Sequence, residues 1–233
     1  MLDKLRRDVW KANRDLARRG LVVLTFGNAS GIDRKRGLVA IKPSGVEYDE
    51  MKPADIVLVD PRGRVVEGKL RPSSDTPTHL ALYRAFPGIG GIVHAHSPAA
   101  TIFAQARRPI PCLGTTHADH FAGPVPVTRM LRKAEVEADY EAETGKVIVE
   151  RFAKLDPGAM PAVLVAGHGP FVWGRTPDEA VRNAVALELV ASLALATRHL
   201  DPRVPELPAY ILSKHHKRKH GPKAYYGQTK EKP

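Results

Sequence analysis

Four short β-type runs crowd the N-terminal third of this chain: Leu21–Thr25, Leu38–Ile41, Ile56–Val59 and Val65–Glu67. Glycine, proline and aspartate turns separate them. Spacing this close favours hairpins over strict βαβ units, so the sheet they build is expected to be mostly antiparallel. Helical signals surround the strands. Leu2, Leu5, Val9, Ala12 and Leu16 recur at three- and four-residue steps up to Gly20. Thr76-Pro77 reads as N-cap and first helical residue of a helix running to Phe86, stopped by Pro87, and Ser97-Pro98 repeats that start. Thr176-Pro177-Asp178-Glu179 has capping-box spacing and opens an Ala- and Leu-rich helix to about His199. With 233 residues the chain can bury one full core. The expected architecture is a single-domain three-layer α/β/α fold around a predominantly antiparallel sheet. No internal repeat or low-complexity linker interrupts it, and only the segment after about Pro208 reads as extended.

The apolar run Ile89–Val93 ends in His94-Ala95-His96. In an extended strand these two histidines project from one face and can reach one ion. His168 sits where a second apolar strand, Val163–Ala166, runs into a glycine turn. Three neutral imidazoles would leave a coordination position open on a zinc-like cation. An H-x-H pair among ten histidines is by itself more often a surface or satisfied core feature. Placement after buried-type strands, among turn residues, is what favours a metal site.

Three small-residue clusters could hold an anion: Gly27-Asn28-Ala29-Ser30, Lys42-Pro43-Ser44-Gly45 and Ser73-Ser74-Asp75. Backbone amides, hydroxyls, an Asn amide and a lysine suit a phosphate, although serine and glycine in a turn usually serve turn geometry. Asp75 fits a capping residue, a metal ligand or an acid/base. Asp119 has the same range, with a turn role as the plain alternative. Together the groups point to a metal-dependent enzyme acting on a small phosphorylated substrate.

The net charge of +11 suggests nucleic acid until it is located. From Ser213 to Pro233, seven Lys/Arg against Glu231 leave +6 in the tail alone. Such a tail could meet phosphate backbones, serve an anionic metabolite or simply be solvated. Aromatic residues are not interleaved with the basic ones as single-strand binding would want. Cys112 is the lone cysteine, which excludes an internal disulfide framework and fits a reducing cytoplasm. Lys4, Arg6 and Arg7 precede no apolar signal segment, and the apolar stretch Ala184–Ala196 contains Glu188 and is too short to span a bilayer. Neither a membrane nor nucleic acid is expected as a partner.

Read in order, the three clusters, His94-Ala95-His96-Ser97, Gly114-Thr115-Thr116-His117-Ala118-Asp119, Gly167-His168-Gly169-Pro170 and Lys219-His220-Gly221-Pro222-Lys223-Ala224-Tyr225-Tyr226-Gly227-Gln228 resemble the class II aldolase/epimerase family. The likeness covers the chain from Met1 to Gln228 and is strongest to the family's pentulose-phosphate 4-epimerase branch. It implies one domain over 1–228 with an active-site arm at 209–228, leaving 229–233 as an expected disordered tail. It implies one zinc ion per subunit, or another divalent ion, held by His94, His96 and His168 with Asp75 at or near the metal. It further implies a phosphate site of Gly27, Asn28, Lys42, Ser44, Gly45, Ser73 and Ser74. Asp119 and Tyr226 match the acid/base pair, and His215 lies beside them. The family's aldolases carry Glu where this chain has Asp75. The activity so implied interconverts L-ribulose 5-phosphate and D-xylulose 5-phosphate in arabinose catabolism, by C3–C4 cleavage and reformation, in a cytoplasmic C4 homotetramer with shared sites. The nearest alternative is a fuculose-phosphate type aldolase, and a sugar-phosphate dehydratase is a weaker one.

Overall fold

The computed structural model describes residues 2–220 and 224–227. Gly221, Pro222, Lys223 and Gln228 of the C-terminal motif, and the expected tail 229–233, lie outside the described residues. The chain opens with α1 (Leu2–Arg18), whose Val9, Ala12 and Leu16 are buried as their spacing predicts. Buried Asn13 fits the same face because its side chain acts as a strand partner. Its Nδ2 donates to the carbonyls of Val9 and Ala29, and its Oδ1 accepts from the Ala29 amide.

The expected strand Leu21–Thr25 does not form. Gly20, Leu24 and Gly27 have φ of +67°, +53° and +76°, so the chain turns repeatedly where pairing needs a straight run. Val23 and Leu24 are exposed in consequence. The first strand is instead β1 (Asn28–Asp33), which absorbs residues expected in a turn. β2 (Leu38–Ile41), β3 (Val57–Val59) and β4 (Val65–Glu67) follow as antiparallel neighbours. Next come α2 (Thr76–Ala85), with Asp75 rather than Thr76 as N-cap, β5 (Gly91–His94) and α3 (Pro98–Gln105). The order closes with α4 (Thr115–Ala118), α5 (Lys133–Arg151), β6 (Ala162–Leu164), β7 (Pro170–Gly174), α6 (Pro177–Leu200) and α7 (Ala209–His220). α7 occupies the segment expected to be extended. No glycine or proline interrupts it, and Lys217, Arg218, Lys219 and His220 in its last turn complement the negative end of the helix dipole.

The described strands form one seven-stranded sheet in the order β4-β3-β2-β1-β5-β7-β6, with every neighbouring pair antiparallel. Successive β1 residues point opposite ways. Ser30 Oγ lies 2.7 Å from His79 Nδ1 and 2.8 Å from the Tyr83 hydroxyl, both on α2. A Cβ on Gly31 would instead meet Pro177 of α6 at 2.8 Å and Val9 of α1 at 3.0 Å. Phe86, Phe152 and Trp173 cluster with ring centroids 5.0–5.4 Å apart, and the Trp173 indole donates to the Pro157 carbonyl.

At 24 residues, α6 is the one described helix long and apolar enough to cross a membrane, longer than its apolar stretch alone suggests. Here it is a core helix lying on β5 and β7, with Val181, Leu187, Val190 and Ala191 buried. The Thr176 side chain accepts from the Glu179 amide at 3.1 Å, as the capping spacing predicts.

The entry of α6 sets a strict limit on β5. A Cβ on Gly91 would stand 2.4 Å from the Pro177 nitrogen and 2.5 Å from its Cα, so backbone would have to move. Gly91→Ala should cost about 3 kcal/mol or more, read as a lowered urea midpoint. An unchanged midpoint would mean that β5 and α6 are not in this contact.

Candidate active site

β5 lies inside the sheet and delivers His94 at its last residue. His94 is buried, stacks on Phe171 with centroids 4.2 Å apart, and has Nδ1 3.0 Å from the Pro170 carbonyl. That carbonyl can only accept, so Nδ1 carries the proton and Nε2 keeps its lone pair. His96 lies just past the strand and is exposed, yet its Nε2 comes within 3.1 Å of His94 Nε2. Ser97 next to it is the N-cap of α3, and Glu188 of α6 accepts from the first α3 amides, Ala99 and Ala100, at 2.7 and 3.0 Å. This carboxylate ties down the helix immediately after the H-x-H pair.

His168 enters from the turn between β6 and β7. Gly167 takes φ +72° there, and Gly169 has no room for a Cβ, which would stand 2.8 Å from the Ala95 carbonyl. The three imidazoles offer ligand atoms within 4.8 Å of one another, with His94 buried, His96 exposed and His168 half-buried. Burial, then the neighbouring His94 and His96, lowers the His168 pKa to about 3, and burial and His94 lower His96. Neutral imidazoles converging on one point fit a divalent cation of the zinc type.

Asp75 shares the cavity but stands outside that close group. Its carboxylate accepts from Asn28 Nδ2 at 2.7 Å. Burial works against its charge, but His94, His79 and the Asn28 hydrogen bond outweigh it and hold the carboxyl below its usual value. The anion clusters line the same cavity of about 390 Å³: Gly27, Asn28, Lys42, Ser44, Gly45, Ser73 and Ser74 all face it. Asn28 organises the cradle, since its Nδ2 also donates to Ser73 Oγ at 3.0 Å. Gly27 is required by close approach, because a Cβ there would lie 2.7 Å from the His94 carbonyl. Lys42 is buried over the Tyr48 ring and donates to the Val46 carbonyl at 2.7 Å, and burial lowers its pKa to about 8. Its ammonium therefore lines the cavity less strongly favoured as a charge than in water, yet mainly protonated at neutral pH.

Among the lining residues that escape a reading of the sequence are Tyr140 and Glu141. They come from α5, which is broken at Asp139. Phe26 also lines the cavity, its ring 6.3 Å from that of His96.

Asp119, His215 and Tyr226 gather elsewhere, and none of them lines this cavity. Asp119 is the C-cap of α4. His215 Nδ1 lies 3.0 Å from its Oδ1, and Arg218 grips both carboxylate oxygens. Lys219 Nζ is 3.8 Å away, and His220 Nε2 lies 2.8 Å from the Asp119 carbonyl. Burial raises the Asp119 pKa, but hydrogen bonds from Arg218 and His215 outweigh that and keep it below the usual carboxylate value. The Tyr226 ring lies 5.0 Å from the Arg218 guanidinium and 4.5 Å from Lys219 Nζ, and its amide donates to the Arg218 carbonyl. Two cations of the basic helix, Arg218 and Lys219, thus meet a carboxylate within the chain.

Residues 7–195 match the class II aldolase and adducin N-terminal domain. The chain belongs to that family. An L-fuculose 1-phosphate aldolase is 28% identical, with a TM-score of 0.78 over 92% of this chain and 95% of that one. YgbL from Klebsiella pneumoniae is 27% identical, with a TM-score of 0.72 over 91% and 97%. The L-fuculose-1-phosphate aldolase of Thermus thermophilus is 25% identical, with a TM-score of 0.68 over 87% and 99%. Membership in the class II aldolase family implies a sugar-phosphate lyase or epimerase, and a divalent metal is typical of the fold's enzymes.

Proposed function

We propose that this class II aldolase-family chain is a zinc-dependent L-ribulose-5-phosphate 4-epimerase, cytoplasmic, with one ion per subunit and its helices layered on both faces of the sheet. The observation that carries the epimerase reading is the linkage of Asp119 to Tyr226 through Arg218, which supplies two different proton-transfer groups in one cluster. Asp75, where the family's aldolases have Glu, supports the same branch. The fuculose-phosphate aldolase neighbours favour a second reading, net aldol cleavage of a sugar 1-phosphate.

Both readings share a first half. The cradle from Gly27 to Ser74 binds the phosphate, with Asn28 fixing Ser73 and Asp75 against each other. When bound, the ion supplies Lewis acidity for negative charge developing on the substrate's carbonyl and hydroxyl oxygens. Asp119 or Tyr226 takes the proton from the C4 hydroxyl, the C3–C4 bond breaks, and glycolaldehyde phosphate separates from the enediolate of dihydroxyacetone. The aldehyde rotates, the bond reforms on its other face, and the second group returns the proton to the C4 oxygen. The phosphate grip keeps the glycolaldehyde phosphate in place between the two steps.

Asp119, His215 and Tyr226 stand outside the cavity of their own chain, which supports a homotetramer of C4 symmetry in which each subunit completes its neighbour's site. Exposed Leu189, Leu193, Leu195 and Leu200 on α6 offer apolar surface for such contacts. Arg218 and His215 hold Asp119, which supports an active-site arm over a nucleic-acid tether. The deciding experiment feeds L-ribulose 5-phosphate to the purified protein and follows D-xylulose 5-phosphate with free glycolaldehyde phosphate in parallel. Xylulose phosphate without stoichiometric glycolaldehyde phosphate is expected. Glycolaldehyde phosphate as the main product, or turnover only on fuculose 1-phosphate, replaces the epimerase with the aldolase.

A further inference from the structure

We propose that Tyr140 is a positioning residue of the metal centre, its hydroxyl holding the His168 imidazole so that Nε2 faces the ion. The inference rests on the metal-site reading of the three histidines. The Tyr140 hydroxyl lies 3.2 Å from His168 Nδ1. A neutral imidazole that coordinates through Nε2 carries its proton on Nδ1, and the phenol oxygen accepts it. His94 is oriented in the same way, its Nδ1 fixed by the Pro170 carbonyl. His168 differs in having a side chain as that partner, one contributed by a helix from another part of the chain.

The local structure of α5 delivers this hydroxyl. Asp139 leaves helical conformation at φ −165°, ψ 93°, and its Oδ1 accepts from the Ala142 amide at 3.0 Å. It therefore caps a helical segment that restarts at Tyr140. Thr78 of α2 donates to the Glu141 carbonyl at 2.5 Å, and Thr144 donates to the Tyr140 carbonyl at 2.8 Å. Gly145 lets the two helices close, since a Cβ there would lie 2.6 Å from that of Ala81. The first turn after the break is thus fixed from three sides, with Tyr140 at the cavity wall and its ring 6.0 Å from that of His168. A tyrosine placed only for solubility would need none of these anchors.

Tyr140→Phe removes one oxygen and keeps the ring. Zinc affinity, measured by competition with a chromogenic chelator, is expected to fall about 10- to 100-fold. The visible spectrum of the cobalt-substituted protein should also shift, while the urea midpoint of the metal-free protein stays unchanged. Asp139→Ala, which removes the cap, should weaken zinc binding in the same direction, and Asp139→Asn, which keeps an acceptor, should restore it. His168→Ala measured alongside separates two failures. If His168→Ala loses zinc while Tyr140→Phe binds as tightly as wild type with the same cobalt spectrum, the positioning role is overturned and the metal centre stands. If His168→Ala itself keeps full affinity, the metal-site reading fails first and this role fails with it.

Discussion

Oligomers assembled from His96→Ala and Tyr226→Phe subunits together should be active although each variant alone is not. His96→Ala removes one of three converging imidazoles and leaves the Asp119 cluster intact. Tyr226→Phe removes a phenol outside the metal cavity and leaves the imidazoles intact. Each loss should lower turnover about 10²- to 10⁴-fold, the usual value of a proton-transfer group or more. If neighbouring subunits complete one another, random one-to-one mixing regenerates a wild-type site wherever a Tyr226→Phe cavity meets a His96→Ala arm. About a quarter of the sites in a closed ring should then be functional. The measurement is turnover after joint unfolding and reassembly, with native mass spectrometry to establish that mixed species form. Mixed oligomers without activity would place the whole site in one chain.

Arg218→Met should move the acid limb of the kcat/KM profile to higher pH and lower its plateau by about two orders of magnitude. In the native chain burial raises the Asp119 pKa and the Arg218 and His215 hydrogen bonds lower it, with a net depression. Removing Arg218 leaves burial opposed by His215 and Lys219 only, so the carboxyl titrates at higher pH. The groups facing it are His215, Arg218, Lys219 and His220 from α7, and His120 beside it on its own segment. The stability sign follows the same shift. A depressed folded-state pKa contributes stability above the unfolded value that is lost as pH falls through the folded value. Acid unfolding of Arg218→Met should therefore be less steep in that window. Arg218→Lys retains a charge but not the two-pronged grip and should fall between the two. A limb that stays in place in Arg218→Met would show that Asp119 is not the group titrating in the profile.

The parts of this molecule written in local chemistry were legible in advance, and those written in long-range contact were not. Hairpin spacing foretold the antiparallel pairing of β2 to β4, and Thr176 foretold the start of α6. His94, His96 and His168 could be grouped because each lies beside the end of an apolar run. Leu21–Thr25 misled because apolar content alone cannot reveal that Leu24 will adopt a positive φ. α7 was hidden by its density of like charges, which reads as a solvated run until Asp119 is seen to receive two of them, Arg218 and Lys219. Tyr140 was hidden because the break at Asp139 makes sense only beside Thr78 and His168. An aspartate able to cap, in the middle of a helical pattern, was the one signal that could have exposed it.

The register of β1 against β5 sets Asn28 opposite His94, and the partner that orients His94, the Pro170 carbonyl, is 76 residues further along. The Asn28–Asp75 contact spans another 47. No short segment therefore carries a working centre. During synthesis the ribosome must release the chain past residue 170 before the third imidazole and its neighbours can meet. If the three imidazoles bind an ion as proposed above, metal acquisition would be deferred to a late stage of biogenesis, when most of the sheet is available, and the nascent polypeptide would hold no complete trap for a divalent cation.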